Sequence, residues 1–343
     1  MKLRTKPNTS RHQTGFTLVE LMVSITIGLF LLAAMGGIYF SSSRIFSATG
    51  ATTAMDENAR AIFDLIGVNV RQAGFNGCAN FSGTTVGDIR GVVNGWNNDI
   101  ANPVQGLTLT ASDSRFPGSL PGTDVLMLVG VDSQRDVSVI SDDGTTIVTG
   151  AHDFQPREVL LASGCQLNGF FVMSSGTTTT IVHGSADNCE VDIGTNCTGV
   201  IGPLSAVPIP DTLPPGALIM PVVANAYFIA DSGASGKGRS LWSCTTPTDC
   251  REMANGVENL KLSFALDTTG NGSIDRYVSA DTPIDWSQVR AVKLNLLLAT
   301  LPDSGASSTG SNEYTFNGET VTPDDRRIYR EYTTVFSLRN KTL

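Results

Sequence analysis

Glu20 is the one charge in the twenty-five residues from Phe16 to Phe40, FTLVELMVSITIGLFLLAAMGGIYF, and a lone carboxylate in so apolar a run needs a partner. At mid-membrane such a group costs up to about 2.5 to 3.5 kcal/mol, and it marks function by default. Cleavage after Gly15 would create an ammonium at Phe16, four residues away, able to pair with the carboxylate within one helix or between two copies of the chain. A second candidate is the loop that begins at Asp267. Asp267, Thr269, Asn271, Gly272 and Asp275 stand at positions 1, 3, 5, 6 and 9 of an EF-hand-like spacing, in which alternate oxygens converge on calcium and glycine permits the sharp turn. The pattern is degenerate, with Thr at position 3 and Val278 at position 12, where a bidentate Glu belongs. An Asx/Gly turn joining two strands accounts for the same residues and is the favoured reading, so no other cofactor is expected and calcium stays an open alternative.

Cys78, Cys165, Cys189, Cys197, Cys244 and Cys250 make an even number with no C-x-x-C pair, which favours disulfides in an oxidising compartment over zinc or a redox dithiol. Fifteen pairings are open. Short loops close most easily, which favours Cys244 with Cys250 and Cys189 with Cys197 and leaves Cys78 for Cys165. Enzyme signatures are absent. Gly233 to Gly238 imitates a phosphate loop but lacks its first glycine and has Gly238 where Ser or Thr is required. After residue 15 only His152 and His183 remain, with no H-E-x-x-H and no G-x-S-x-G, so a non-enzymatic protein is expected.

The elements that must carry these residues divide at Gly74. Phe16 to Phe40 would span roughly 37 Å as a helix, at about 1.5 Å per residue, enough for a hydrocarbon core of about 30 Å. A secretory signal has a shorter apolar region, of about 7 to 15 residues. Lys2, Arg4, Lys6 and Arg11 precede the apolar run, so residues 1–15 are expected in the cytoplasm and the rest across the membrane. Helical spacing continues through Met55, Ala59, Ile62, Ile66, Val70 and Ala73, with Gly74 as the stop. Gly36 and Gly37 form a soft point where this helix would leave the bilayer. Beyond it come short β-prone runs: Asp124 to Val131, Glu158 to Ala162, Gly169 to Met173, Ala217 to Val223, Val257 to Leu266, Val289 to Ala299 and Tyr332 to Leu338. Leu260, Leu262, Phe264 and Leu266, and likewise Val292, Leu294, Leu296 and Leu298, alternate with less apolar neighbours as half-buried antiparallel strands do. Five prolines between 203 and 215 crowd a loop, and 303–311 reads as a flexible one.

The 343 residues are 41% apolar, 16% charged and 7% aromatic, which suits a β-rich body better than a helical bundle. The formal charge is −9, and removing the four cations of residues 1–15 leaves −13. Such a body has no general basic surface for phosphates, and direct nucleic-acid binding is not expected.

Gly15-Phe16-Thr17-Leu18-Val19-Glu20 resembles the class III signal of type IV pilins: a basic leader ending in Gly, a new apolar N-terminus, and Glu five places into the mature chain. The resemblance implies cleavage after Gly15 by prepilin peptidase, methylation of the Phe16 amine, and a role for Glu20 in engaging a neighbour's amine during assembly. Met55-Asp56-Glu57-Asn58-Ala59-Arg60, Arg71 to Phe75 with Cys78, Gly256 to Leu260, the Asp267 to Asp275 loop with Arg276-Tyr277-Val278, Trp286 with Val289 to Val292, and Arg326 to Tyr329 with Thr333-Thr334-Val335 resemble the PilW family of minor pilins. The fold so implied is α+β and pilin-like: a leader at 1–15, a transmembrane and assembly half-helix at 16–40, an amphipathic half at 41–74, and a large antiparallel β-rich periplasmic head at 75–343. The function so implied is that of a structural minor pilin in a tip or priming complex on the inner membrane. Its implied partners are other minor pilins, the major pilin and a large PilY-type tip adhesin. A J-type pseudopilin of type II secretion and a membrane-anchored periplasmic binding domain are the rival readings.

Overall fold

The computed structural model describes residues 17–75, 103–164, 167–183, 212–234, 236, 238–302, 304 and 313–341. Thr17 caps helix α1, Leu18–Gln72, whose 55 residues give it a length of about 83 Å at about 1.5 Å per residue. The helix runs unbroken through Gly36 and Gly37. It stops where the sequence suggests: Ala73 is extended, and Gly74 takes φ +72°, the left-handed geometry that glycine adopts without strain. A Cβ at Gly74 would lie 2.7 Å from Pro103, so the chain also needs the missing side chain to turn away.

Among the described residues the head holds two large antiparallel sheets and a separate two-stranded hairpin. The first comprises β1 Val104–Thr108, β2 Asp124–Val131, β3 Val137–Asp142, β4 Thr146–Thr149, β5 Val159–Gly164, β6 Leu167–Val172, β7 Ser175–Thr177, β8 Thr180–Val182, β9 Leu218–Asp231, β10 Arg239–Thr246 and β11 Asp249–Asn255. Its order is β1-β2-β9-β3-β4-β8-β7, and β9 also pairs with β5 and β10, which lead to β6 and β11. The second sheet runs β13-β12-β14-β17, from β12 Val257–Leu266, β13 Arg276–Ser279, β14 Val289–Ala299 and β17 Tyr329–Ser337. A hairpin of β15 Tyr314–Phe316 and β16 Glu319–Val321 precedes β17.

The two alternating runs of the sequence turn out to be neighbours. Leu260 pairs with Leu296, Leu262 with Leu294 and Phe264 with Val292, and all six are buried. Their common face, together with Leu126, Leu128, Tyr227 and Ile229 of the first sheet, encloses the stripe Met55, Ala59, Ile62, Ile66 and Val70 of α1 and its C-cap Ala73. The second half of the helix is thus part of the head's main core. Gly67 lets the Phe336 ring sit directly on the helix, since a Cβ there would lie 2.6 Å from it. Among the described residues the rest of the head is organised around three further cores, one under β3 to β8, one shared by β2, β5, β6 and β9, and one where Leu109 and Phe116 pack on β2, β9 and β10.

Candidate assembly site

Among the described residues nothing packs against the first half of α1. Leu18, Leu21, Met22, Ile25, Leu29, Leu32, Met35 and Tyr39 are all exposed, and Phe46 is 81% exposed. No part of the helix's most apolar window is buried in the protein, and that window is long and apolar enough to cross a membrane. A continuous apolar surface of this size on a folded chain marks a lipid or protein interface.

Glu20 lies at the head of this surface and has a partner within the chain. Its Oε2 accepts the Thr17 backbone N–H at 2.9 Å and the Thr17 hydroxyl at 3.0 Å, while Thr17 Oγ1 accepts the Glu20 N–H at 3.3 Å. This is a reciprocal capping box, which satisfies two of the four N–H groups that open a helix and places a carboxylate at the positive end of its dipole. The signal for it, Thr17-x-x-Glu20, is present in the sequence one residue after Phe16. Gly15 and Phe16 lie outside the described residues, as do Cys78, Cys165, Cys189 and Cys197.

Where the helix enters the head, polar side chains fix it to the sheets. Arg330 of β17 bonds Asp56 at 2.8 Å, and the Tyr332 hydroxyl donates to the same carboxylate. Burial and this bond push the Tyr332 phenol up to about 12, and the Tyr332 hydroxyl foremost holds the Asp56 carboxyl below its usual range. At the far end Asn69 donates to the Tyr227 hydroxyl. Asn340 donates to the backbone oxygens of Arg71, at 3.3 Å, and Ala73, at 2.9 Å, occupying carbonyls that a helix end leaves open. Asp56 and Arg330 are 274 positions apart, so only the fold brings them together.

The Asp267 loop joins β12 to β13. Asp267 is buried, and its oxygens accept N–H groups from Asn271 at 3.1 Å and Gly272 at 2.9 Å and the Arg290 Nε at 3.3 Å. Burial draws its carboxyl upward, and the bonds from Gly272, Gly270, Arg290 and Asn271 outweigh it and hold the group below the ordinary aspartate value. Asp275 Oδ2 accepts from the backbone and hydroxyl of both Thr268 and Thr269, and Asn271 Oδ1 takes the Ser273 N–H. The Thr269 hydroxyl, expected at position 3, donates to Asp275. Among the described residues no group of three His, Cys, Asp or Glu is placed to hold a metal.

Cys244 and Cys250 form a disulfide across the paired strands β10 and β11. The phosphate-loop imitation is the β9 to β10 turn, closed by the Ser232 N–H on the Gly238 oxygen at 2.8 Å. His152 stacks on Phe154 at 4.7 Å, and burial lowers its pKa. His183 Nε2 stands 3.6 Å from Asp142, with its ring edge against Phe171. These two histidines are built into the packing under β3 to β8.

Residues 226–340, from the middle of β9 past the end of β17, match the family model described as Type IV Pilus-assembly protein W, and residues 10–36 match the Prokaryotic N-terminal methylation motif. Comparison with curated proteins and with solved structures gives no match.

Proposed function

We infer the role of this chain from the premise that it is a type IV pilus-related pilin, a PilW domain carried behind a prepilin methylation motif. The proposal is a structural, non-enzymatic minor pilin, anchored in the inner membrane by residues 16–40 with its head in the periplasm. There it joins other minor pilins, the major pilin and a PilY-type adhesin in a tip or priming complex that starts the fibre. The observation that carries it is a helix of which one half is core and the other half is bare apolar surface with a carboxylate at its tip. Only burial in a membrane, or among the helices of other subunits, removes that surface from water.

Processing by prepilin peptidase follows from the same reading. The mature chain should begin at a methylated Phe16, and Gly15→Arg should accumulate as uncut precursor in the inner membrane. Intact-mass measurement of the wild-type protein decides it, any other first residue being the contrary result. Deletion of the chain distinguishes the readings of the whole. Loss of surface pili supports the minor pilin, loss of exoprotein secretion with normal pili supports a J-type pseudopilin, and neither effect supports an anchored binding domain.

A further inference from the structure

The face of the second sheet opposite the helix carries a cavity of about 850 Å³, within the range of small-molecule sites. The β9 to β10 turn, β12, β15 and the segment leading into β17 enclose it. Its lining holds three acids, Asp231, Glu258 and Asp325, and three bases, Arg239, Arg326 and Arg327. Among the described residues of the lining, acids and bases are equal in number, so hydrogen-bond donors and acceptors stand side by side.

The wall is rigidly built. Glu258 is buried, and it takes Arg327 Nη1 at 2.6 Å with Arg239 Nε 3.9 Å away on its other oxygen. Arg327 Nε also bonds Asp325 at 2.7 Å, its Nη2 donates to the Tyr329 hydroxyl at 2.6 Å, and that hydroxyl donates to Asp325 at 2.9 Å. Tyr314 lies flat on Tyr329, ring centres 4.6 Å apart and planes 16° apart, so the pair presents an aromatic platform at the edge of the polar wall. Gly238 borders Arg327 and Glu258 at the rim and takes φ +75°, the left-handed geometry that glycine adopts without strain.

One polar atom is left over. Asn259 Oδ1 is buried in the lining and has no hydrogen-bond partner among the described residues, an arrangement that costs about 1 to 3 kcal/mol unless a donor arrives from outside. We propose that this cavity binds a neutral saccharide, whose hydroxyl groups meet the interleaved acids, arginines and the Asn259 oxygen while its apolar C–H face lies on the Tyr314 ring.

The test is saturation-transfer NMR on the full-length protein, held in a zwitterionic detergent without a sugar head group, with cellotriose, chitotriose and maltotriose as probes. At least one trisaccharide should receive saturation, and inorganic phosphate should not displace it. Tyr314→Ala should weaken binding about tenfold, equivalent to about 1.4 kcal/mol for the lost platform. Arg239→Gln, at a half-exposed position, should weaken it as well and serves if the tyrosine variant does not fold. Saturation of none of the three sugars, displacement by phosphate, or undiminished binding in the folded variants would overturn the proposal.

Discussion

Glu20 has one arrangement in the isolated chain, and the proposed assembly would give it a second. In the isolated chain its carboxylate is occupied by Thr17 at two positions, so the charge at the start of an apolar helix is partly satisfied before any neighbour is present. A neighbour's terminal ammonium would then compete with hydrogen bonds from one Thr, in which only the acceptor is charged, by offering a pair in which both partners are charged. Glu20→Ala should therefore leave membrane insertion intact or improved and lower the amount of protein recovered in sheared fibres. Equal recovery of variant and wild type would count against the pairing role. Asp267 gives a second residue-scale prediction. Its folded pKa is depressed, so it contributes stability above the ordinary aspartate value near 3.9 and loses that contribution as pH falls through the lower, folded value. Asp267→Asn should flatten the acid limb of a thermal melting profile below about pH 4 and lower stability at neutral pH, where Arg290 loses its carboxylate. An unchanged acid limb would refute this.

Among the elements, legibility followed the amount of apolar pattern each one carries. The expected bounds of β2, β12 and β14 coincide with the observed ones, because each has eight or more residues facing a core on at least one side. The helix stripe and its stop at Gly74 were equally plain. β7, β8, β13, β15 and β16, of three or four residues each, were not visible, since their pairing depends on what surrounds them more than on propensity. β9 runs on through Ala224-Asn225-Ala226, past the expected end at Val223, because β2 pairs with all three and β10 joins at Ala226. The Cys244–Cys250 bridge was legible from loop length, whereas the Asp56, Arg330 and Tyr332 cluster had no local signal at all. The helix stripe yields its own prediction. Ile66 is fully buried between both sheets, so Ile66→Ala should cost about 2 to 5 kcal/mol and lower the midpoint of denaturant unfolding. Ile45→Ala, on the bare half, should leave that midpoint unchanged.

At the scale of the whole molecule, the helix is both anchor and core, and the head cannot be completed without it. Five residues of α1 and its C-cap Ala73 lie in the main core beside strands of both sheets. Removing the bare half of the helix should therefore leave a folded head, while removal to Val70 should leave the two sheets with exposed inner faces and an aggregating product. Size-exclusion chromatography of the two truncations separates these outcomes.

The same wedge has a mechanical meaning. Tension drawn along the stalk reaches the head through a face that touches β2, β14 and β17, and Asn340 ties the end of the chain to the final turn of that stalk. The load is thus divided between two sheets from the outset, with no single strand peeling away ahead of the others. Pulled from its N-terminus with the head held, such a body should yield in one rupture event, and a staircase of small steps in a force trace would show that the two sheets do not share the load.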